Sequence, residues 1–289
     1  MRRALALVLF VVAVAGCGGG GGNEAATSTG GPAAAQLVAN AAAKTADAGT
    51  SRTAFAITMT GFATEPVKVV GEGIFDSQHR RGRVTFDLSQ LGEAAGGQDL
   101  GKAEMIVDDL VVYMRWPFLR QLDPNIKEWL KFDLEAFGTQ QGIDLGQLSQ
   151  LEQSDPSQAL AYLRAVGNDV RAVGEDDVRG AATTHYTMTV DLRKVASVAP
   201  PEQRAQVKAS IDQIIAKSGV REVPAEVWID EDGLVRREKL EFRDFTFAPG
   251  QTGDMTMTMD LFDFGVEVQV KPPPANEVTD IQGLLGGGG

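Results

Sequence analysis

Along most of this chain apolar residues return at every second position, the spacing of a strand with one buried face. Phe55, Ile57 and Met59 alternate with Ala56, Thr58 and Thr60. The same period runs through 67–75 and 83–88, where Phe75, Val84, Phe86 and Leu88 hold the apolar phase. Segments 104–107 and 110–115, the second carrying Val112 and Met114, flank Asp108-Asp109 and predict a hairpin. Residues 129–134 (WLKFDL) predict a further strand. Strands resume at 169–173 and 183–192, the latter with Tyr186, Met188 and Val190 in phase, and Arg179-Gly180 makes the turn between them. Segments 225–229, 234–247 and 254–264 follow, with Asp232-Gly233 as a tight hairpin signal. In 234–247, Leu240 and Phe242 share one phase but Phe245 and Phe247 take the other. A bulge near Arg243-Asp244 returns all four to one face. Residues 266–270 predict a last short strand before Pro272-Pro273-Pro274 stops pairing.

Helical spacing interrupts this pattern in three places. Residues 32–47 carry Leu37, Val38 and Ala41 on one side, with Gly49 beyond the end. Segments 145–151 and 156–166 place Leu148, Leu151, Leu160, Leu163 and Val166 at steps of three and four. In 200–218, Val207, Ile211, Ile214 and Ile215 form a stripe bounded by Pro201 and Gly219. About nine to eleven strands in hairpin runs, with helices inserted, predict an α+β fold built on an antiparallel sheet. A sheet this wide must curl, and helices then cover its concave side.

The first residues follow neither period. Met1-Arg2-Arg3 precedes an apolar run, 4–15, then Gly16 and Cys17, the chain's single cysteine. A basic start, an apolar stretch too short to span a bilayer and small residues at its end predict a signal peptide over 1–16. Val14-Ala15-Gly16-Cys17 resembles the bacterial lipobox, which implies that Cys17 becomes a diacylglyceryl-modified first residue. A lone cysteine also excludes an intrachain disulfide, so the exported domain must be held by its core. Residues 17–32, rich in glycine and poor in large apolar side chains, predict a flexible leash with an r.m.s. span of roughly 20 Å. Residues 33–280 then form one domain, and 281–289 a disordered glycine-rich tail.

Losing Arg2 and Arg3 with the signal takes the formal charge from −12 to −14. Such acidity repels nucleic-acid phosphates, so nucleic acid is excluded as an electrostatic partner. The two histidines, His79 and His185, come with neither HExxH nor CxxC, which argues against a histidine-based metal site. No GxSxG is present, and Asp230-Glu231-Asp232-Gly233 lacks the spacing of a calcium loop. The glycines of 92–101 lack a strand–loop–helix setting and predict a loop. No catalytic set, metal or cofactor is expected.

The methionines, by contrast, are concentrated. Apart from Met1, all lie in predicted strands: Met59, Met105, Met114, Met188, Met255, Met257 and Met259. Gap filling in a core accounts for any one of them. The set together fits a lining that accommodates varied apolar shapes.

Five segments occur in order: EWLKFDL (128–134), GIDLGQL (142–148), ALAYLRAVG (159–167), TTHYTMTVDL (183–192) and PAEVWIDEDGLVRRE (224–238). With them the chain resembles actinobacterial lipoproteins of the LppX/LprG-like family, in the wider LolA/LolB-like group. The resemblance implies a curved half-barrel whose helices enclose an apolar cavity for acyl chains of a lipid or glycolipid. Strand phase then nominates the cavity lining: Phe55, Ile57, Met59, Phe75, Val84, Phe86, Val112, Met114, Tyr186, Met188, Val190, Leu240, Phe242, Met255, Met257 and Met259. Trp116 and Phe118 would flank the cavity mouth or touch membrane, or else pack under a helix. The expected function is a non-catalytic lipid carrier anchored through Cys17 to the outer leaflet of the cytoplasmic membrane. It would exchange lipid with envelope transport proteins. The alternative is an envelope interaction or sensor module with a filled core.

Overall fold

The computed structural model describes residues 30–136, 167–194, 204–248 and 250–281. The expected leader, Cys17, all but the last three residues of the leash, the 145–151 and 156–166 helices and almost all of the tail lie outside these residues.

Helix α1 (Pro32–Asp47) coincides with the predicted segment, starting on proline at its first turn and followed by Gly49 at φ 79°. Strands β1 (Thr50–Met59), β2 (Val67–Asp76) and β3 (Arg81–Asp87) follow. Next come α2 (Ser89–Ala94), β4 (Lys102–Asp108), β5 (Val111–Arg115), α3 (Pro117–Leu122) and β6 (Trp129–Asp133). Then β7 (Gly167–Val178) and β8 (Ala181–Asp191) form a hairpin, and α4 (Arg204–Ser218) precedes β9 (Glu222–Asp230). Strands β10 (Val235–Ala248), β11 (Gln251–Phe262) and β12 (Val278–Asp280) complete the described chain.

All twelve strands join one open sheet, in the order β12-β6-β5-β4-β3-β2-β1-β11-β10-β9-β8-β7. Every pairing is antiparallel except β12 on β6, and the two ends of the sheet do not pair with each other. This is the expected α+β class with one strand beyond the expected count. Two local expectations need correction. Residues 266–270 form no strand; the last strand lies beyond the three prolines, where backbone donors are available again. The start of the 92–101 loop is helical instead, with Gly92 inside α2 because a side chain there would collide with the Gln98 carbonyl.

The predicted bulge is present. Pairing of β10 with β11 shifts register between Phe242 and Phe245, and Asp244 takes φ 52°. Phe242, Phe245 and Phe247 then follow one another edge to face, with centroids 6.5 Å and 5.3 Å apart, and Phe62 continues the run at 5.5 Å from Phe247.

Register gives the sheet two unlike faces. On the polar face, charges pair across neighbouring strands. Glu104 on β4 receives Arg83 of β3 and Arg115 of β5, the latter at 2.5 Å. Lys239 of β10 contacts Glu226 of β9 at 2.8 Å and its own neighbour Glu241 at 2.9 Å. Asp260 of β11 receives Arg237 at 2.6 Å and Arg179 at 2.9 Å. Burial alone would raise the Asp260 carboxyl, but hydrogen bonds from Arg237 and Arg179 outweigh it and hold the group below its ordinary range.

The apolar face carries the core. Ala34, Ala35, Val38 and Ala41 of α1 pack on Val170, Tyr186, Met188, Ala225, Val227, Ile229 and Val235 from β7 to β10. Near the other end Leu100, Ala103 and Trp116 form a second buried group. Between β1 and β3 a close approach is decisive. Gly71 of β2 lies between Phe55 and Phe86 in register, and without a side chain there the two rings meet at 4.9 Å. A methyl at Gly71 would overlap the Phe55 ring and the Thr85 carbonyl.

Two outcomes follow for stability. Gly71→Ala should lower unfolding free energy by about 2 kcal/mol through overpacking, read as a shifted urea midpoint. Asp260→Ala should cost about 2 kcal/mol near pH 7, because it strands two guanidinium groups. Because the folded-state pKa of Asp260 is depressed, this stabilisation is present above the ordinary carboxylate pKa and lost as pH falls through the folded value. The difference in urea midpoint between wild type and variant should therefore shrink from pH 7 to pH 3.

Candidate functional site

Cross-strand register places every strand residue nominated for the lining on the apolar face. Phe55, Ile57 and Met59 of β1 pair with Met259, Met257 and Met255 of β11. Leu240 and Phe242 of β10 pair with Met257 and Met255, and Leu240 with Ala225 of β9. Ala225 pairs with Met188 of β8, which brings Tyr186 and Val190 to the same side. In the other direction Phe75, Val84 and Phe86 share this face through β2 and β3, and Val84 pairs with Met105. Met105 pairs with Met114, and Val112 lies one step along. Every methionine of the described residues therefore faces the same way.

These residues are not packed alike. Met59, Val84, Val112, Tyr186, Met188 and Phe242 are buried. Phe55, Ile57, Phe75, Phe86, Met114, Val190, Leu240, Met255, Met257 and Met259 are half-buried. Four buried clusters occupy the face. One lies beneath α1, one beside Val67 and Val69, one around Trp116, and one joins Val220 and Val223 to Phe242. Phe55, Phe75, Met257 and Met259 belong to none of them. Phe55, Met257 and Met259 form a strip along β1 and β11 in which large side chains keep part of their surface accessible, and Phe75 stands apart, opposite Ser51.

Helix α4 contacts β10, with Val207, Ile211 and Ile215 half-buried as the predicted stripe requires. Trp116 is only 8% exposed, and its Nε1 donates to the Leu100 carbonyl at 2.8 Å. It is a packing residue, with Phe118 half-buried against it at 5.4 Å. Trp116 satisfies both its ring and its N–H locally, an outcome that the apolar segment alone left open.

Two polar groups on this face were not singled out from the sequence. Glu238 pairs with Met259 on one side and Val227 on the other, and Thr53 pairs with Leu261. Their signal is phase: Glu238 stands two residues before Leu240, and Thr53 two before Phe55. Burial pushes the Glu238 carboxyl upward and, on this face, the Tyr186 phenol as well.

The histidines lie elsewhere. His79 meets Asp76 at 2.7 Å in a turn. His185 lies on the polar face, stacked on Trp228 at 4.1 Å, with Nε2 2.7 Å from Glu226. Among the described residues no three His, Cys, Asp or Glu side chains converge as metal ligands would, and no helix is long and apolar enough to cross a membrane. Two shallow depressions of about 430 and 530 Å³ lie on the polar side, around Arg171 and Glu226 and around Arg83 and Glu104.

No protein-family profile matches the chain. It is 28% identical over 214 residues to an uncharacterized 31.2 kDa protein of Streptomyces griseus, covering 71% of this chain and 66% of that one. It is 28% identical over 162 residues to a candidate lipoprotein of Streptomyces coelicolor, covering 55% of this chain and 44% of the relative. The chain thus spans just under two thirds of the first and under half of the second. Among solved structures it is similar to lipoprotein LppX of Mycobacterium tuberculosis, with TM-score 0.46, 15% identity, and 83% of this chain and 99% of that one covered. It is also similar to LprF of Mycobacterium bovis, with TM-score 0.45, 12% identity, and 86% and 100% covered. The chain is similar to lipoproteins of the group that its sequence resembles.

Proposed function

We propose that this protein is an extracytoplasmic lipoprotein that takes up acyl chains of a lipid or glycolipid on the apolar face of its sheet. The observation that carries the reading is the register that sets Phe55, Met257 and Met259 side by side on β1 and β11, half-buried and outside the four buried clusters of the described residues. Each methylene moved there from water contributes about 0.8 kcal/mol, so a long chain binds without a directional anchor. Thioethers reshape at little cost, which suits chains of differing length and branching. In this reading Cys17 carries the membrane anchor at the outer leaflet of the cytoplasmic membrane, and the chain shields lipid in transit to envelope partners without catalysing a reaction.

The alternative, an interaction module with a filled core, draws on the close packing of α1 against β7 to β10. Native mass spectrometry of the Cys17→Ser chain, purified from a lipid-containing actinobacterial host, separates the two. Co-purified lipid is expected; its absence, even after candidate lipids are offered, favours the module. Met257→Arg should place a charge in the strip and reduce retained lipid at least about tenfold, while leaving the melting temperature within a few degrees. An unchanged lipid signal would remove the strip from the site. In cells, Cys17→Ser should move the chain from the membrane fraction to the soluble extracytoplasmic fraction, read by fractionation and by loss of fatty-acid labelling.

A further inference from the structure

Glu238 is chemically out of place. A row across the apolar face runs Phe55, Met259, Glu238, Val227, Tyr186, one residue from each of β1, β11, β10, β9 and β8. Its neighbours along β10 on this face include Leu240, which packs with Val227 and Leu261 against the α1 cluster. The carboxyl thus stands at the boundary between the part of the face that α1 fills and the open strip of Phe55, Met257 and Met259.

The other strand carboxylates are placed differently. Glu104, Asp191, Glu226, Asp230, Glu241 and Asp260 lie on the polar face, each paired with arginine or lysine. On the apolar side Glu175 and Asp177 are exposed near the β7–β8 turn, where water solvates them. Glu238 is half-buried and lacks such a partner: among the described residues it has no hydrogen bond or ion pair, and burial raises its pKa with no compensating contact. Taking an unpaired carboxyl partly out of water is costly, and a leucine in this row would avoid that cost. Thr53 repeats the observation. It is 7% exposed, and its Oγ1 lacks a partner, two strands across and two residues along from Glu238, at roughly 12 Å.

We infer that Glu238 is the specificity-determining residue of the apolar face, accepting a hydrogen bond from a hydroxyl or ammonium group of a ligand whose acyl chain lies along the strip. This rests on the acyl-binding reading and adds a chemical preference to it. A carboxyl oxygen accepts in either protonation state, so a donor from the occupant satisfies it whether or not it is ionised. A lipid carrying only hydrocarbon there leaves the carboxyl unpaired, an ester pairs with its protonated form alone, and an anionic head group brings a like charge to its ionised form.

The test is a binding titration of the Cys17→Ser full chain with three ligands of equal length: hexadecylamine, 1-hexadecanol and palmitate. Wild type should prefer the amine and the alcohol to palmitate by roughly tenfold or more, the range of a hydrogen bond to a charged group. Glu238→Leu should level that order while keeping chain-driven affinity, and Glu238→Gln should keep alcohol binding but lose the extra preference for the amine. Thermal melting of each variant verifies the fold; since no native partner is lost, neither variant should melt lower than wild type. The same ligand order in wild type and Glu238→Leu overturns this inference alone. Failure of all three ligands to bind folded wild type overturns the acyl-binding reading as well.

Discussion

A strand turns only every second side chain to a given face, so register decides which chemistry each side of a sheet presents. A slip of one residue would exchange phenylalanine and methionine for alanine and threonine in β1 and β11, and leucine and phenylalanine for lysine and glutamate in β10. The polar face guards against that slip. Arg83, Glu104 and Arg115 span β3 to β5, and Glu226 with Lys239 ties β9 to β10. Arg179 and Arg237 both close on Asp260 of β11. Whatever each pair contributes to stability, it is satisfied in one register only. The bulge at Asp244 has the same effect within β10, since it returns Phe245 to the side of Phe242.

With register held from the polar side, the apolar side need not be a fixed jigsaw. Where α1 lies on β7 to β10, small alanines let the helix approach Val227, Ile229 and Tyr186 closely, and the packing is complete. Farther across, Gly71 allows Phe55 and Phe86 to meet over a bare backbone. Beyond that contact the side chains are Met257 and Met259, which set no single shape. Rigidity and adaptability are thus separated along the face rather than mixed within it.

Much of this was legible because strand phase is a local property. Every lining residue chosen by alternation falls on one side, and the phase conflict between Leu240-Phe242 and Phe245-Phe247 located the bulge. Helix α1 was legible from its alanine-rich spacing and its flanking proline and glycine. What escaped depends on tertiary neighbours. β12 is three residues long and pairs with β6 in parallel, so no run of its own announces it. Trp116 is apolar in any of the roles considered for it, and its bond to the Leu100 carbonyl is a tertiary contact that its own segment does not announce. Glu238 was concealed by the charges around it: in RREKLEF every polar residue reads as solvent-facing until the phase of Leu240 and Phe242 is extended backwards.

An open sheet must also manage its two edges. A long bare edge recruits other strands, and here each end of the described chain limits one. At the β7 edge Gly30 bridges Arg171, and Gly31 donates to the Val170 carbonyl at 2.9 Å. At the other edge β12 covers β6 with a strand too short to template further pairing, and three prolines precede it. Both closures come from segments outside the hairpin core, so the sheet is finished by its ends rather than by closing on itself. Closing β7 onto β12 would turn the strip of Phe55, Met257 and Met259 into the interior of a filled barrel. Keeping the sheet open and its edges blunted leaves this apolar face outside any barrel interior, while limiting the strand pairing that an open edge would otherwise invite.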